Sequence, residues 1–263
     1  MIGIDIRRAQ VTRYVTPLRE GGSLPAIVEA DDGFPYVLKF RGAGQGKKAL
    51  IAELVGGELA RRIGLQVPEL VFLDLDDTFS KTEPDEEIQD LLRFSVGLNL
   101  GLHFLSGAMT FDPLVSEVDP VAASRTVLLD SLITNIDRTP RNPNLLMWSR
   151  SLWLIDHGAC LYFHHNWQTW QEAVHKTFPA IHHHVLLKKA TALEEAEVHL
   201  RTRLIPEVIR EILDLIPDEW LIEASDDLSP DQKRMAYQTY LTTRIERLDL
   251  LTKEAEDARQ AGL

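Results

Sequence analysis

Asn135-Ile136-Asp137-Arg138-Thr139-Pro140-Arg141-Asn142-Pro143-Asn144 is the stretch on which the reading of this chain turns. Two prolines keep it from extending the helical pattern that precedes it, so it reads as an irregular loop. Asp137 and Asn142 stand five positions apart within it, and Leu154-Ile155-Asp156-His157-Gly158 follows shortly after, an aspartate ending an apolar run. Two carboxylates and an amide oxygen are the ligands that a hard cation such as magnesium takes, with waters and phosphate oxygens completing its shell. Only one carboxylate and the amide are needed for that task. The other carboxylate is then free to accept or orient the proton of an acceptor hydroxyl.

The flanking residues support such a site. Asp119-Pro120 reads as the cap and first residue of a helix running to about Asn135, and Val127, Leu128, Leu132 and Ile133 give it a buried face. The loop is therefore delivered from a rigid base. Residues 145–148 and 151–155 read as a hairpin through Ser149-Arg150, which returns Asp156 beside Asn142. His157 is placed at the site by its position, and Cys160 reads as a small buried packing residue.

Upstream, residues 11–18, 26–30 and 36–40 read as strands, the second pair joined by an Asp31-Asp32-Gly33 turn. Gly21-Gly22, between the first two strands, could lay backbone amides over phosphates, although most such pairs are ordinary turns. Lys39 is the only charge inside an apolar strand. It either meets an anion or, from an edge strand, reaches solvent. Residues 41–47 form a basic glycine loop that fails the Walker pattern, since Lys48 stands where the hydroxyl residue belongs. Residues 48–63 have helical period and stop at Gly64, with Glu53 at the edge of the apolar face, placed to pair with Lys39, and Glu58 competing for that role. Residues 68–75 read as a strand. Residues 74–87 carry seven acids and read as an exposed loop leading to a short helix over 88–94. Residues 96–104 read as a strand and connector.

Of 263 residues, 44% are hydrophobic, enough for a large core, and no run of eighteen apolar residues is long enough to predict a transmembrane helix. A single cysteine and a first segment without an apolar signal core fit the cytoplasm. A net charge of −12 argues against broad nucleic-acid binding. It leaves oligomeric state open. Beyond Gly158 the periodicity predicts helices over 167–174, 181–193, 205–216 and 232–255. His164-His165 and His182-His183-His184 lack cysteine or carboxylate partners at ligand spacing and read as surface or core histidines.

Taken in order, these motifs resemble the HipA-like kinases, with a more distant likeness to lipid kinases of the phosphatidylinositol type. Asn135-Ile136-Asp137-Arg138 with Asn142 resembles their catalytic loop, Ile155-Asp156-His157-Gly158 their metal loop, and Val37-Leu38-Lys39-Phe40 with Glu53 their nucleotide-binding lobe. The resemblance implies an α+β, bilobal protein-kinase-like fold: a small antiparallel β N-lobe with one helix over residues 1–105, and a mainly helical C-lobe over 106–263. It implies ATP and magnesium as cofactors. Asp137 would be the catalytic base, Asn142 and Asp156 the metal ligands, and Lys39 the phosphate partner held by Glu53, under a Gly21-Gly22 loop. The implied partner is a protein substrate with a Ser/Thr hydroxyl. Thr139 stands where many kinases carry Lys or His, which leaves that charge to Arg138 or Arg141. The alternatives are a catalytically weak nucleotide- or partner-binding module, and transfer of AMP instead of phosphate.

Overall fold

A computed structural model describes residues 5–18, 24–224 and 226–262. Five strands, β1 (Arg8–Pro17), β2 (Ala26–Ala30), β3 (Pro35–Lys39), β4 (Leu70–Leu75) and β5 (Gly97–His103), close into a barrel in the order β1-β2-β3-β5-β4. Alternating side chains point inward, so Val28, Tyr36, Leu38, Val71 and Leu73 fill its interior. The expected all-antiparallel sheet needs correction. β1 starts three residues earlier than the sequence suggests, and Arg8, Ala9 and Gln10 pair in parallel with Phe72, Leu73 and Asp74. Charges outside the apolar pattern make that closure: Arg8 pairs with Asp74, and Arg7 bonds Glu69 at 2.8 Å and Asp32 at 2.7 Å.

Helix α1 (Lys47–Arg62) follows the barrel's first three strands and packs on α4 (Pro120–Ile133) and on two later helices, α7 (Pro206–Leu213) and α8 (Asp218–Leu221). The acidic run is not one loop. It holds α2 (Thr78–Thr82) and α3 (Glu86–Phe94), and Asp85 caps the latter by accepting from the Glu87 and Ile88 amides. Ile88 and Leu92 of α3 then plug the barrel. A three-stranded sheet of β6 (Met109–Thr110), β7 (Leu145–Trp148) and β8 (Ser151–Leu154) lies ahead of the helical remainder. Its expected hairpin turns through Ser149 and Arg150, both at positive φ as a tight two-residue turn requires.

The remaining helices are α5 (Trp170–Val174), α6 (Leu193–Arg203), α9 (Pro230–Glu246) and α10 (Leu248–Ala261). Two expectations fail here. Residues 181–193 form no α-helix short of Leu193, where α6 begins, but two 3₁₀ turns, Pro179–His183 and Leu187–Lys189. The amides that would extend a helix are taken elsewhere: Val185 N donates to Arg138 O, and Leu186 N to His184 Nδ1. Residues 232–255 are two helices because Arg201 takes the carbonyls of Ile245, at 2.7 Å, and Glu246. α8 ties the barrel to the helices. Trp220 is 1% exposed, meets Phe72 edge-on at 5.5 Å and donates to the Leu98 carbonyl of β5. No helix among the described residues is long and apolar enough to cross a membrane.

Candidate functional site

The site starts from the end of α4. Asp119 caps that helix through the Ala122 amide, and Thr134 ends it in the left-handed conformation, turning the chain into the loop. Asp130, fully buried in the last turn, organises the loop from beneath. It accepts from Arg138 Nε, from Asn135 Nδ2 at 3.0 Å and from His184 Nε2 at 2.9 Å. Because Leu186 N donates to His184 Nδ1, the imidazole proton sits on Nε2 and the ring is neutral. Burial works against the Asp130 charge, but Arg138 and His184 outweigh it and hold the carboxyl well below its usual range. Arg138 also donates to the carbonyls of Asn144 and Ile155, so one guanidinium joins the catalytic-loop candidate to the segment before Asp156.

On that base the polar groups converge. Asp137 Oδ2 accepts from Asn142 Nδ2 at 2.8 Å and from Asn144 Nδ2 at 3.3 Å. With its Nδ2 so engaged, Asn142 keeps its Oδ1 for a cation. Asp156 has φ +56, a conformation uncommon for a residue with a side chain and concentrated at functional sites. That twist sends neighbouring side chains apart: Asp156 reaches Lys39 Nζ at 2.6 Å, whereas His157 turns fully inward. Lys39 Nζ also stands 3.6 Å from Glu53 Oε2, and His157 Nδ1 stands 3.5 Å from Glu53 Oε1. Burial disfavours the Lys39 ammonium, but Glu53 and Asp156 together raise its pKa above the ordinary lysine value. Burial likewise disfavours the Glu53 carboxylate, but Lys39 and His157 hold its pKa down to about 2.

Lys39, Glu53, Asp137, Asn142 and Asp156 all line one cleft of about 1060 Å³. Its lining is otherwise largely apolar, with Val37, Leu102, Leu105, Leu146 and Ile155. An apolar slot beside a few fixed charges is the usual form of a small-molecule site, and this volume exceeds what one nucleotide fills. No group of three or more His, Cys, Asp or Glu side chains among the described residues could hold a metal unaided. The donor set nevertheless fits magnesium, which binds through one or two protein oxygens together with phosphates and water.

The structure thus brings Lys39, Glu53, Asp137, Asn142 and Asp156 together. Gly21 and Gly22 lie outside the described residues. Glu58, the competitor of Glu53, instead pairs with Arg61 at 3.0 Å. Arg138 is 1% exposed and bound by Asp130, so it brings no charge to the cleft; Arg141 is exposed. The basic loop divides. Ala43, Gly44 and Gln45 line the cleft, while Arg41 and Lys47 bond Glu219 of α8 and Lys48 pairs with Glu223. Of the histidine clusters, His164 is buried against the Tyr237 hydroxyl and His184 against Asp130, as packing residues. Sequence reasoning missed Asn144 and Asp130. Asn144 had a signal, since it follows Asn142 in the decisive loop and has φ +49. Asp130 had none, because one acid in an apolar helix does not show which way it faces.

A family model described as HipA-like kinase matches residues 11–249. The Helicobacter pylori proinflammatory kinase CtkA superposes with a TM-score of 0.60 at 13% identity, covering 97% of this chain and 99% of that one. The Golgi casein kinase with Mn/ADP bound superposes with a TM-score of 0.50 at 11% identity, covering 97% of this chain and 74% of that one. No curated protein sequence matches the chain. At such identities the two structures speak for the fold alone.

Proposed function

This chain belongs to the HipA-like kinase family and is a kinase, and from that premise we propose that it transfers the γ-phosphoryl group of ATP to a protein Ser/Thr hydroxyl with magnesium. The observation that carries the reading is the convergence of Lys39, Asp137, Asn142 and Asp156 on one cleft. The Golgi casein kinase, whose structure holds Mn and ADP, supports a nucleotide with a divalent cation. In this reading residues 1–105 form the nucleotide-facing lobe and 106–263 the lobe that bears the catalytic loop. The apolar part of the lining takes the base. Lys39 neutralises the α- and β-phosphates, and Asn142 and Asp156 would supply the protein oxygens for magnesium, whose charge would offset that of the phosphates. Asp137 accepts or orients the proton of the acceptor hydroxyl, its carboxylate fixed by the amides of Asn142 and Asn144. Phosphoryl transfer asks little covalent chemistry of a protein, so positioning and charge neutralisation are the main contributions.

Thermal unfolding with and without Mg·ATP tests the nucleotide site, because a ligand of the native state must stabilise it. The control variant is Asp156→Asn, since asparagine tolerates the left-handed conformation better than alanine does. Wild type should show a magnesium-dependent rise that Asp156→Asn loses. An unshifted wild type at millimolar ATP would end the proposal. Transfer of labelled phosphate should then fall by about 10²- to 10⁴-fold in Asp137→Asn while its unfolding midpoint holds.

One observation favours a second reading, a nucleotide-binding module with weak catalysis. Arg138 is turned away into the protein and Thr139 carries no charge, so neither supplies the cation many kinases place there. Tight Mg·ATP binding without transfer would select that reading. The acceptor's mass separates phosphate transfer from AMP transfer.

A further inference from the structure

We propose that His157 is a positioning residue that acts on Lys39 through Glu53. The inference rests on the assignment of Lys39 to phosphate binding. Glu53 is 1% exposed and neither of its oxygens has a hydrogen-bond partner; its nearest ionisable neighbours are Lys39 at Oε2 and His157 at Oε1. The last torsion of a glutamate is broad, so one partner does not fix the plane of its carboxylate. A second neighbour against the other oxygen, here His157 Nδ1 at 3.5 Å, restricts it. In the resting site Lys39 leans on Asp156 at 2.6 Å rather than on Glu53 at 3.6 Å. When magnesium engages Asp156, Glu53 is the acid left to hold the lysine. The orientation of its carboxylate then matters.

The chain accepts a cost to keep an imidazole there. His157 is fully buried and neither ring nitrogen has a hydrogen-bond partner; Nδ1 stands 3.5 Å from Glu53. A buried polar group so poorly satisfied destabilises the fold, a penalty that an apolar ring would avoid. Gly56, mid-helix in α1, leaves the room in which residue 157 packs this close, since a Cβ there would stand 2.8 Å from His157 Cβ. Mere filling of space would not require a polar ring.

Binding of Mg·ATP and of adenosine to the full chain, measured by calorimetry, tests the role. His157→Phe should weaken Mg·ATP about tenfold, as loss of a supporting contact behind a ligand does, and leave adenosine within about twofold, since adenosine does not meet Lys39. In a Glu53→Gln background the same change should alter Mg·ATP affinity by less than about twofold, because the two side chains act as one unit. His157→Gln, which keeps an N–H donor, should recover most of the loss, and it carries the same comparison against His157→Leu if the phenylalanine variant does not fold. Wild-type Mg·ATP affinity in His157→Phe, equal loss for adenosine, or an undiminished effect without Glu53 would each overturn the role. A wild type that binds no Mg·ATP would overturn the kinase-site assignment along with it, whereas a binding wild type with an indifferent His157 would overturn the positioning role alone.

Discussion

Arg138 and Asp137 are sequence neighbours that face opposite ways, one buried under the loop and one lining the cleft. Removing one partner of a buried ion pair leaves an uncompensated charge, and Arg138→Ala should therefore lower stability by about 3–5 kcal/mol, read from denaturant unfolding. Arg138→Lys should not restore it, because a single ammonium cannot meet Asp130 and the Asn144 carbonyl from two nitrogens at once. A near-wild-type midpoint in Arg138→Ala would mean the guanidinium is not structural. The identity of this pair of residues was legible in the sequence because the spacing of Asp137, Asn142 and Asp156 is local and chemical. Their directions were not. An irregular loop has no periodicity to say which neighbour turns in, and Asp130, which settles the matter, belongs to another element.

Helix α1 illustrates the same limit one level up. Its glycines are adjacent and its bounds were readable from apolar period and a terminal Gly64, yet Gly56 and Gly57 differ in what they touch. A Cβ on Gly57 meets Leu70 Cδ1 at 3.0 Å, the movable tip of a side chain, whereas on Gly56 it meets His157 Cβ at 2.8 Å, close to the backbone. Gly57→Ala should be neutral or slightly stabilising, with up to about 1 kcal/mol from helix propensity. Gly56→Ala should destabilise by about 1–3 kcal/mol through overpacking and reduce the thermal shift with Mg·ATP. Equal midpoints for the two variants would contradict the contact. Elements with their signals inside themselves, such as α4 with its Asp119 cap, were visible in advance. The 3₁₀ turns over residues 179–189, the break between α9 and α10, and the closure of β1 on β4 were not, because each depends on a distant group: Arg138 O, Arg201 and Asp74.

The molecule as a whole carries buried histidines whose protonation opposes folding. Burial pushes the His164 pKa well below its ordinary value and lowers that of His184, against the pull of Asp130. In the unfolded chain these rings titrate near pH 6.5. Between that value and their folded values the unfolded state binds more protons, so stability must fall as pH drops below about 6.5 and be insensitive to these groups above it. The unfolding midpoint, followed from pH 8 to 5.5, should decline before the carboxylates titrate, and His164→Gln should flatten the decline. A level profile would refute this. Burial of Trp220 is the other global constraint. Trp220→Ala should cost about 3–5 kcal/mol, measured by denaturant, since it strips the contact between α8 and the barrel.

Closure of the barrel also dictates an order on the ribosome. β5 lies between β3 and β4, so no ring exists until residue 103 has emerged, although its first strand begins at Arg8. The indole that seats on Phe72 arrives later still, 122 positions after the Leu98 carbonyl it will bond. For that span of synthesis the nascent protein exposes an aromatic ring on the outside of a finished barrel, in want of a chaperone or of its own last third.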